Sequence, residues 1–185
     1  MTDDLATPVK PRSYVPGLVA YEAHATPARV KLVWGPLGTA KTTWICWEVY
    51  FMAEIAARAG LTLRVLFLRD TYRNLVDSTL QTFLKWFPDG IMSYVARSEP
   101  YELKLRVVDR ITKESTYHDL LFRHGQTEQD ASDFLSTEYD GIVLEEIAPA
   151  YLPGVRRISP GIAEGVFDMA YSRLERTEER AQAIG

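Results

Sequence analysis

The chain has 185 residues, of which 46% are hydrophobic and 25% are charged, and its formal net charge is -4. This ordinary globular mixture supplies a sizeable core and argues against wholesale disorder. It also excludes a surface that is basic all over, so any contact with nucleic acid must be local, transient or shared among subunits. The lone cysteine, Cys46, rules out an intrachain disulfide, and no apolar run is long enough to cross a membrane. We therefore expect a soluble intracellular protein.

The first part of the chain is predicted to be a lead-in, a strand and a helix. Residues 1–28 are punctuated by prolines and are expected to be irregular. Residues 30–34 form a short apolar run that ends at Gly35, which predicts a buried strand feeding a glycine turn. A helix is expected over residues 42–59, because its aromatic side chains recur at helical spacing and a glycine follows it.

Strands and helices alternate through the rest of the sequence. The predicted elements are a buried strand at 63–68, a helix at 72–86, a hairpin of strands at 101–108 and 115–122, a short helix at 127–135, a strand at 141–144 and a last helix at 162–182. This alternation predicts an α/β domain whose central sheet is largely parallel, with the antiparallel hairpin as an addition.

The segment between the first predicted strand and helix nearly matches the phosphate-loop consensus G-x-x-x-x-G-K-[ST]. We expect the whole segment to bind nucleotide; its residues are Gly35, Pro36, Leu37, Gly38, Thr39, Ala40, Lys41 and Thr42. Lys41 would neutralise the β and γ phosphates, and Thr42 would hold Mg²⁺ through its hydroxyl. Ala40 replaces the second glycine, which is tolerable if its φ is negative, because a methyl group then costs little. The alternative is a strand, turn and helix with an accidental match.

Two carboxylates follow the predicted strand at 141–144. In P-loop ATPases an acid at a strand end binds Mg²⁺ through water, and a second acid beside it can polarise the attacking water. We assign the metal role to Glu145 and the base role to Glu146, so that Glu146 and Lys41 are the predicted catalytic residues. The metal-side acid is usually aspartate, so Glu145 is a departure. A solvated strand end is the alternative.

Four stretches of the sequence resemble the ATPase domain of the large terminase subunit, the DNA-packaging motor of tailed bacteriophages. They are residues 14–16 with 24–29, the loop at 35–42, LRDTYRNL at 68–75 and EYDGIVLEE at 138–146. The likeness covers residues 14–175, and its last two stretches are the most specific. It implies a P-loop NTPase fold of the ASCE type, a three-layer sandwich, in which residues 29–185 form the ATPase domain after the lead-in.

The resemblance implies a function and a set of partners. The implied function is ATP hydrolysis, with ATP and Mg²⁺ as cofactors, that powers translocation of double-stranded viral DNA into a procapsid. The implied partners are double-stranded DNA, the portal protein, the small terminase subunit and further copies of the chain in a pentameric ring. The implied location is the cytoplasm of the infected bacterial host and, transiently, the procapsid portal. The family's nuclease domain and coupling strand have no counterpart in these 185 residues, so we expect a fragment.

Several residues depart from the family pattern or carry two interpretations. Leu37 stands about where many relatives have an arginine. Some relatives have an arginine shortly before the acidic strand that serves a neighbouring subunit's ATP, but residues 134–137 contain none. The remaining candidates are Arg123 and Arg173, each also interpretable as a surface ion-pair residue. Tyr14 is expected to stack on the adenine or to be a simple loop aromatic. Arg69 is expected either at a ligand site, since it follows a strand of an α/β sheet, or at an exposed strand end.

Two other classes of function fit the same motifs. One is a P-loop switch that binds nucleotide and barely hydrolyses it. The other is a helicase-like or kinase-like ATPase that is not involved in packaging. The three histidines show no metal-ligand spacing and are expected to be ordinary polar residues.

Overall fold

The computed structural model describes residues 10–35, 38–97, 101–109, 111–125, 127, 137–147, 150–151, 157–159, 161–162, 165–166, 168–169 and 172. None of the helices in these ranges is long and apolar enough to span a membrane.

A five-stranded mixed sheet forms the centre of the fold. Its strands are β1 (Arg64–Arg69), β2 (Met92–Ala96), β3 (Tyr101–Val108), β4 (Ser115–His124) and β5 (Gly141–Leu144). They lie in the order β2-β3-β4-β1-β5. The pairings of β1 with β4 and β5 are parallel, whereas β2 with β3 and β3 with β4 are antiparallel. The predicted α/β class and the predicted hairpin are therefore confirmed. A separate antiparallel pair joins β6 (Ala150–Tyr151) to β7 (Arg157–Ser159).

Helices flank the sheet in the first half of the chain. They are α1 (Leu18–Ala25), α2 (Lys41–Arg58), α3 (Tyr72–Asn74) and α4 (Gln81–Trp86), with a π-helical segment at Leu75–Leu80 between the last two. The end of α2 is set by Gly60, whose φ of 71° is the left-handed conformation that commonly terminates helices. The helices predicted at 42–59 and 72–86 are thus confirmed, and the second contains a π-helical stretch that was not predicted.

Strand β1 is buried on both faces, which explains its continuous apolar sequence. Val65 and Phe67 belong to the larger core, which also contains side chains of α2 and α4. Leu66 and Leu68 belong to a smaller core on the other side, where they pack with Tyr139. Full burial of such a leucine or phenylalanine side chain contributes roughly 1.5–3 kcal/mol to stability. Strand β1 therefore holds the residues at its carboxyl end firmly in place.

Two predictions for the N-terminal part were wrong. Residues 30–34 pair with no strand of the described sheet, and the exposed fractions of Leu32 and Trp34 are 76% and 89%. An apolar run forms a strand of a sheet only where it can pair with the edge of that sheet. The local sequence pattern does not report whether such an edge lies nearby. The lead-in at 1–28 is also not irregular throughout, because it contains α1, none of whose residues is buried.

The second half of the chain gives a mixed outcome. The strands at 63–68 and 141–144 are confirmed within a residue. Strand β2 was not predicted. The helix predicted at 127–135 lies outside the described residues except for Thr127. Of the last predicted helix, 162–182, residues 165–166, 168–169 and 172 are helical, and the other positions after 162 lie outside the described part.

Candidate functional site at the carboxyl ends of β1 and β5

The site lies where two neighbouring parallel strands end. Leu68 of β1 is in register with Leu144 of β5, and the backbone N–H of Glu145 donates to the carbonyl of Leu68 at 3.0 Å. Arg69, the last residue of β1, and Glu145, the first residue after β5, therefore lie side by side. The carboxyl ends of parallel strands are where α/β sheets bind ligands.

The first turn of α2 brings Thr42 to this edge. Its hydroxyl Oγ1 donates to Oε1 of Glu145 at 2.6 Å, across a separation of 103 residues. The two residues that the sequence assigned to Mg²⁺ thus touch. A hydroxyl and a carboxylate oxygen are hard donors of the kind that Mg²⁺ takes in nucleotide sites, together with phosphate oxygens and water. The described residues contain no group of three or more His, Cys, Asp or Glu side chains that could hold a metal, so nucleotide and water would have to complete the coordination.

Arg69 lies at the centre of the site and is buried, with 8% of its surface exposed. Its NH1 donates to Oε2 of Glu145 at 3.2 Å, and its NH2 donates to Oε1 of Glu146 at 2.6 Å. Its Nε lies 3.9 Å from Oδ1 of the fully buried Asp70. The interpretation of Arg69 as an exposed strand end is therefore wrong. One guanidinium faces three carboxyl groups, an arrangement that leaves the edge attractive to a cation.

The two glutamates have different surroundings. Glu145 is 8% exposed and accepts from three side chains, those of Thr42, Arg69 and Thr79. The side chain of Glu146 is 33% exposed, and its carboxylate accepts from Arg69. Glu146 also has a φ of 56°, in the left-handed region that non-glycine residues seldom adopt. Glu145 is therefore tightly held and Glu146 is more accessible, and the metal and base roles assigned to them stay predictions.

Thr79 belongs to the site although sequence reasoning did not single it out. It lies in the π-helical segment, is fully buried, accepts from NH1 of Arg69 at 3.2 Å and donates to Oε2 of Glu145. In the sequence Thr79 is one polar residue within a predicted helix. The π-helical turn that places it cannot be inferred from side-chain periodicity, so the pattern carried no signal for it.

Of the predicted phosphate loop, the structure describes residues 35 and 38–42, whereas Pro36 and Leu37 lie outside the described residues. The ammonium Nζ of Lys41 donates to the carbonyl of Gly35 at 2.8 Å and lies 3.5 Å from Oγ1 of Thr39. The lysine therefore reaches back across the turn, and Gly38 supports that turn with a φ of 80°.

Ala40 does not have the backbone conformation under which an alanine was expected to fit. Its φ is 57°, so it occupies the left-handed region immediately before α2. An L-residue pays roughly 1–2 kcal/mol for that conformation, because its Cβ approaches the following carbonyl oxygen. The condition under which Ala40 would be tolerated at little cost is therefore not met, and the position is one that favours glycine.

Tyr14 lies against α2. Its ring stacks on Trp47 at a centroid distance of 4.9 Å, and its hydroxyl lies 3.2 Å from Nε2 of His24. His24 in turn contacts Glu48 through Nδ1 at 2.6 Å. Burial, with a smaller contribution from Glu48, raises the pKa of Tyr14. This cluster ties the lead-in to α2, and stacking of Tyr14 on adenine stays a prediction.

The arginine expected to act on a neighbouring subunit is not identified. Arg123 pairs with Glu102 through NH2 at 2.9 Å and donates from NH1 to the carbonyls of Tyr101 and Phe122. These contacts fit the ion-pair interpretation of Arg123, and Arg173 lies outside the described residues.

His118 differs from the ordinary polar histidine that was expected. It is fully buried, and its Nδ1 accepts from the backbone N–H of Leu63 at 3.0 Å. Its Nε2 has no hydrogen-bond partner within the described part of the chain. Burial lowers the pKa of His118 to about 4, against the opposing effect of Asp119 and Asp140. His118 is therefore a neutral core residue at neutral pH.

Comparison of the chain with family models, with curated proteins and with solved structures found no match.

Proposed function

We propose that the chain binds ATP with Mg²⁺ at the carboxyl ends of β1 and β5 and hydrolyses it, within a P-loop NTPase fold of the ASCE type. The observation that carries this proposal is the 2.6 Å hydrogen bond between Thr42 and Glu145. The loop residue and the strand-end acid were assigned to one metal ion from sequence alone, and a bond between them is what a shared site requires.

The roles of the side chains follow from their positions. Lys41 would exchange its contact with Gly35 for the β and γ phosphates of ATP, and Thr42 and Glu145 would hold Mg²⁺ directly and through water. Bound Mg²⁺ neutralises charge on the phosphates. Glu146, the more exposed acid, would accept the proton of the water whose oxygen attacks the γ phosphorus, and ADP would leave.

We further propose that hydrolysis drives translocation of double-stranded DNA into a procapsid, as in the large terminase ATPase domain. The resemblance of residues 68–75 and 138–146 to that family supports this step. The partners would be the portal protein, the small terminase subunit and further copies in a ring, in the cytoplasm of the infected host and at the portal. With a net charge of -4, the chain would have to share DNA contacts among copies.

One observation favours the alternative of a nucleotide switch that barely hydrolyses ATP. Glu146 already pairs with Arg69 at 2.6 Å, so its carboxylate is engaged and would have to leave that contact before it could reach a water molecule. A single-turnover measurement separates the two functions. If the chain is a motor, Glu146 leaves Arg69 when ATP binds, and the bound ATP is hydrolysed in the single turnover. If the chain is a switch, the bound ATP stays intact.

The test of the nucleotide site is Lys41→Ala, with Lys85→Ala as a matched control on the exposed surface of α4. Binding of a fluorescent ATP analogue and ATP turnover should be lost in Lys41→Ala and kept in Lys85→Ala, while both variants unfold at the wild-type temperature. Wild-type turnover in Lys41→Ala would overturn the proposed site. Stimulation of wild-type turnover by double-stranded DNA would support the motor, and its absence would favour the switch.

A further inference from the structure

We propose that Thr79 is a positioning residue: its buried hydroxyl, together with Arg69, fixes the carboxylate of Glu145 so that one oxygen stays presented to Thr42 and the metal. This inference rests on the proposed function of the site and adds a residue that neither the loop motif nor the acidic motif contains.

The two oxygens of Glu145 have separate partners. Oε1 accepts from Thr42 at 2.6 Å, which leaves it on the side of the phosphate loop. Oε2 accepts from NH1 of Arg69 at 3.2 Å and from the hydroxyl of Thr79. A carboxylate with only one donor can rotate about its terminal bond, whereas donors on both oxygens hold it in one orientation.

The direction of the Thr79 hydroxyl is set by its neighbours. A threonine hydroxyl has one proton to donate and two lone pairs that accept. NH1 of Arg69 can only donate, and it does so to Oγ1 of Thr79 at 3.2 Å. The hydroxyl proton is thereby directed to Glu145, and the three side chains form a closed hydrogen-bonded ring.

Burial makes this contact hard to replace. Thr79 is fully buried and Glu145 is 8% exposed, so bulk water has little access to Oε2. A buried carboxylate oxygen that loses a donor pays a desolvation penalty larger than the net worth of an ordinary hydrogen bond. The carboxylate would relieve that penalty by rotating or by tightening on Arg69, and either movement disturbs Oε1.

The local backbone is also unusual at this point. Thr79 lies in the π-helical segment Leu75–Leu80, and both Thr79 and the next residue, Leu80, are buried. A π-helical turn is rare and is found frequently at functional sites, because it re-aims side chains that a regular helix would direct elsewhere. Here it lets the helix bury an apolar side chain in the core and a hydroxyl against Glu145 at consecutive positions.

The experiment compares Thr79→Val, which keeps the shape and removes the hydroxyl, with Thr79→Ser, which keeps the hydroxyl. Thr82→Val is the control, because Thr82 lies in the adjoining α4 and its hydroxyl donates to the carbonyl of Ser78 at 2.7 Å. The measurement is the affinity of N-methylanthraniloyl-ATP as a function of MgCl₂ concentration in the full chain, alongside ATP turnover over the same range.

We expect Thr79→Val to raise the MgCl₂ concentration for half-maximal binding by roughly 10- to 100-fold, the usual effect of losing a residue that orients a metal ligand. Analogue binding without Mg²⁺ should stay at the wild-type level, and Thr79→Ser and Thr82→Val should remain within about threefold of the wild type. If Thr79→Val does not fold, Thr79→Cys serves the same purpose, because a thiol is a weak donor.

Two results would overturn the inference and leave the proposed function standing. They are a wild-type Mg²⁺ dependence in the folded Thr79→Val variant, and an equal defect in Thr79→Ser, which would assign the effect to packing. Absence of Mg²⁺-dependent binding in the wild-type chain would overturn the proposed function and this inference with it.

Discussion

Lowering the pH should destabilise the protein through His118. Its Nδ1 accepts a hydrogen bond from the N–H of Leu63 at 3.0 Å, and a protonated imidazole has no lone pair for that bond. Protonation would also place a charge in a site from which water is excluded. Burial is the main reason that the pKa of His118 is lowered from 6.5 to about 4.

The size of the effect follows from the two pKa values. The unfolded chain binds a proton near pH 6.5, whereas the folded chain binds it only near pH 4, so the unfolded state carries more protons between these values. The free energy of unfolding is therefore unaffected by His118 above pH 6.5 and falls as the pH drops from 6.5 to 4. The two pKa values differ by about 2.5, and each pKa unit corresponds to about 1.36 kcal/mol. The free energy of unfolding therefore falls by about 3 kcal/mol.

The assay is urea unfolding followed by circular dichroism at several pH values between about 4 and 7.5. His118→Asn keeps an acceptor near the position of Nδ1 and cannot be protonated in this range, so its stability should fall less steeply than that of the wild type. The control His124→Asn keeps His118 and should retain the steeper loss. Parallel pH profiles for the wild type and His118→Asn would refute the reasoning, whatever their absolute stabilities.

Two further predictions concern the site. Glu146→Gln should still bind ATP but hydrolyse it about 10²- to 10⁴-fold more slowly, because the amide cannot accept the proton, whereas Glu145→Gln should weaken Mg²⁺-dependent binding. Binding and single-turnover measurements check both, and normal hydrolysis by Glu146→Gln would contradict the assignment of the base. Ala40→Gly should raise the free energy of unfolding by about 1 kcal/mol, since relief of left-handed strain exceeds the extra freedom of glycine in the unfolded chain. An unchanged or lower urea midpoint would show that the strain is absent.

Elements with a strong local pattern were predicted well. The recurrence of aromatic side chains located α2, which is observed at Lys41–Arg58, and strict alternation located β3 at Tyr101–Val108. In both cases the period of the sequence equals the period of burial. Residues 30–34 are apolar like β1, but no strand lies beside them in the described part of the chain. Strand pairing depends on distant segments of the chain, which no local pattern reports.

The sequence located some residues of the candidate site but not the residues that hold them in place. Thr42, Glu145 and Glu146 follow from motifs, and the structure brings the first two into contact. The burial of Arg69 depends on three carboxyl groups from two strand ends, and Thr79 depends on a π-helical turn. The spacing of residues in the sequence predicts neither which strand ends lie side by side nor where a helix contains a π-helical turn.

The bond between Thr42 and Glu145 has a consequence for synthesis of the chain on the ribosome. Its two residues are 103 positions apart, and bringing the ends of such a segment together costs on the order of 4 kcal/mol in chain entropy. The contacts that offset this entropy cost form only when β5 docks beside β1. Strand β5 is the last of the five strands of the sheet to be synthesised. A nascent chain that ends before residue 145 therefore carries the predicted phosphate loop without the acid that Thr42 contacts. Under the proposed function, Mg²⁺-dependent nucleotide binding should thus begin abruptly late in translation, after the five-stranded sheet has emerged.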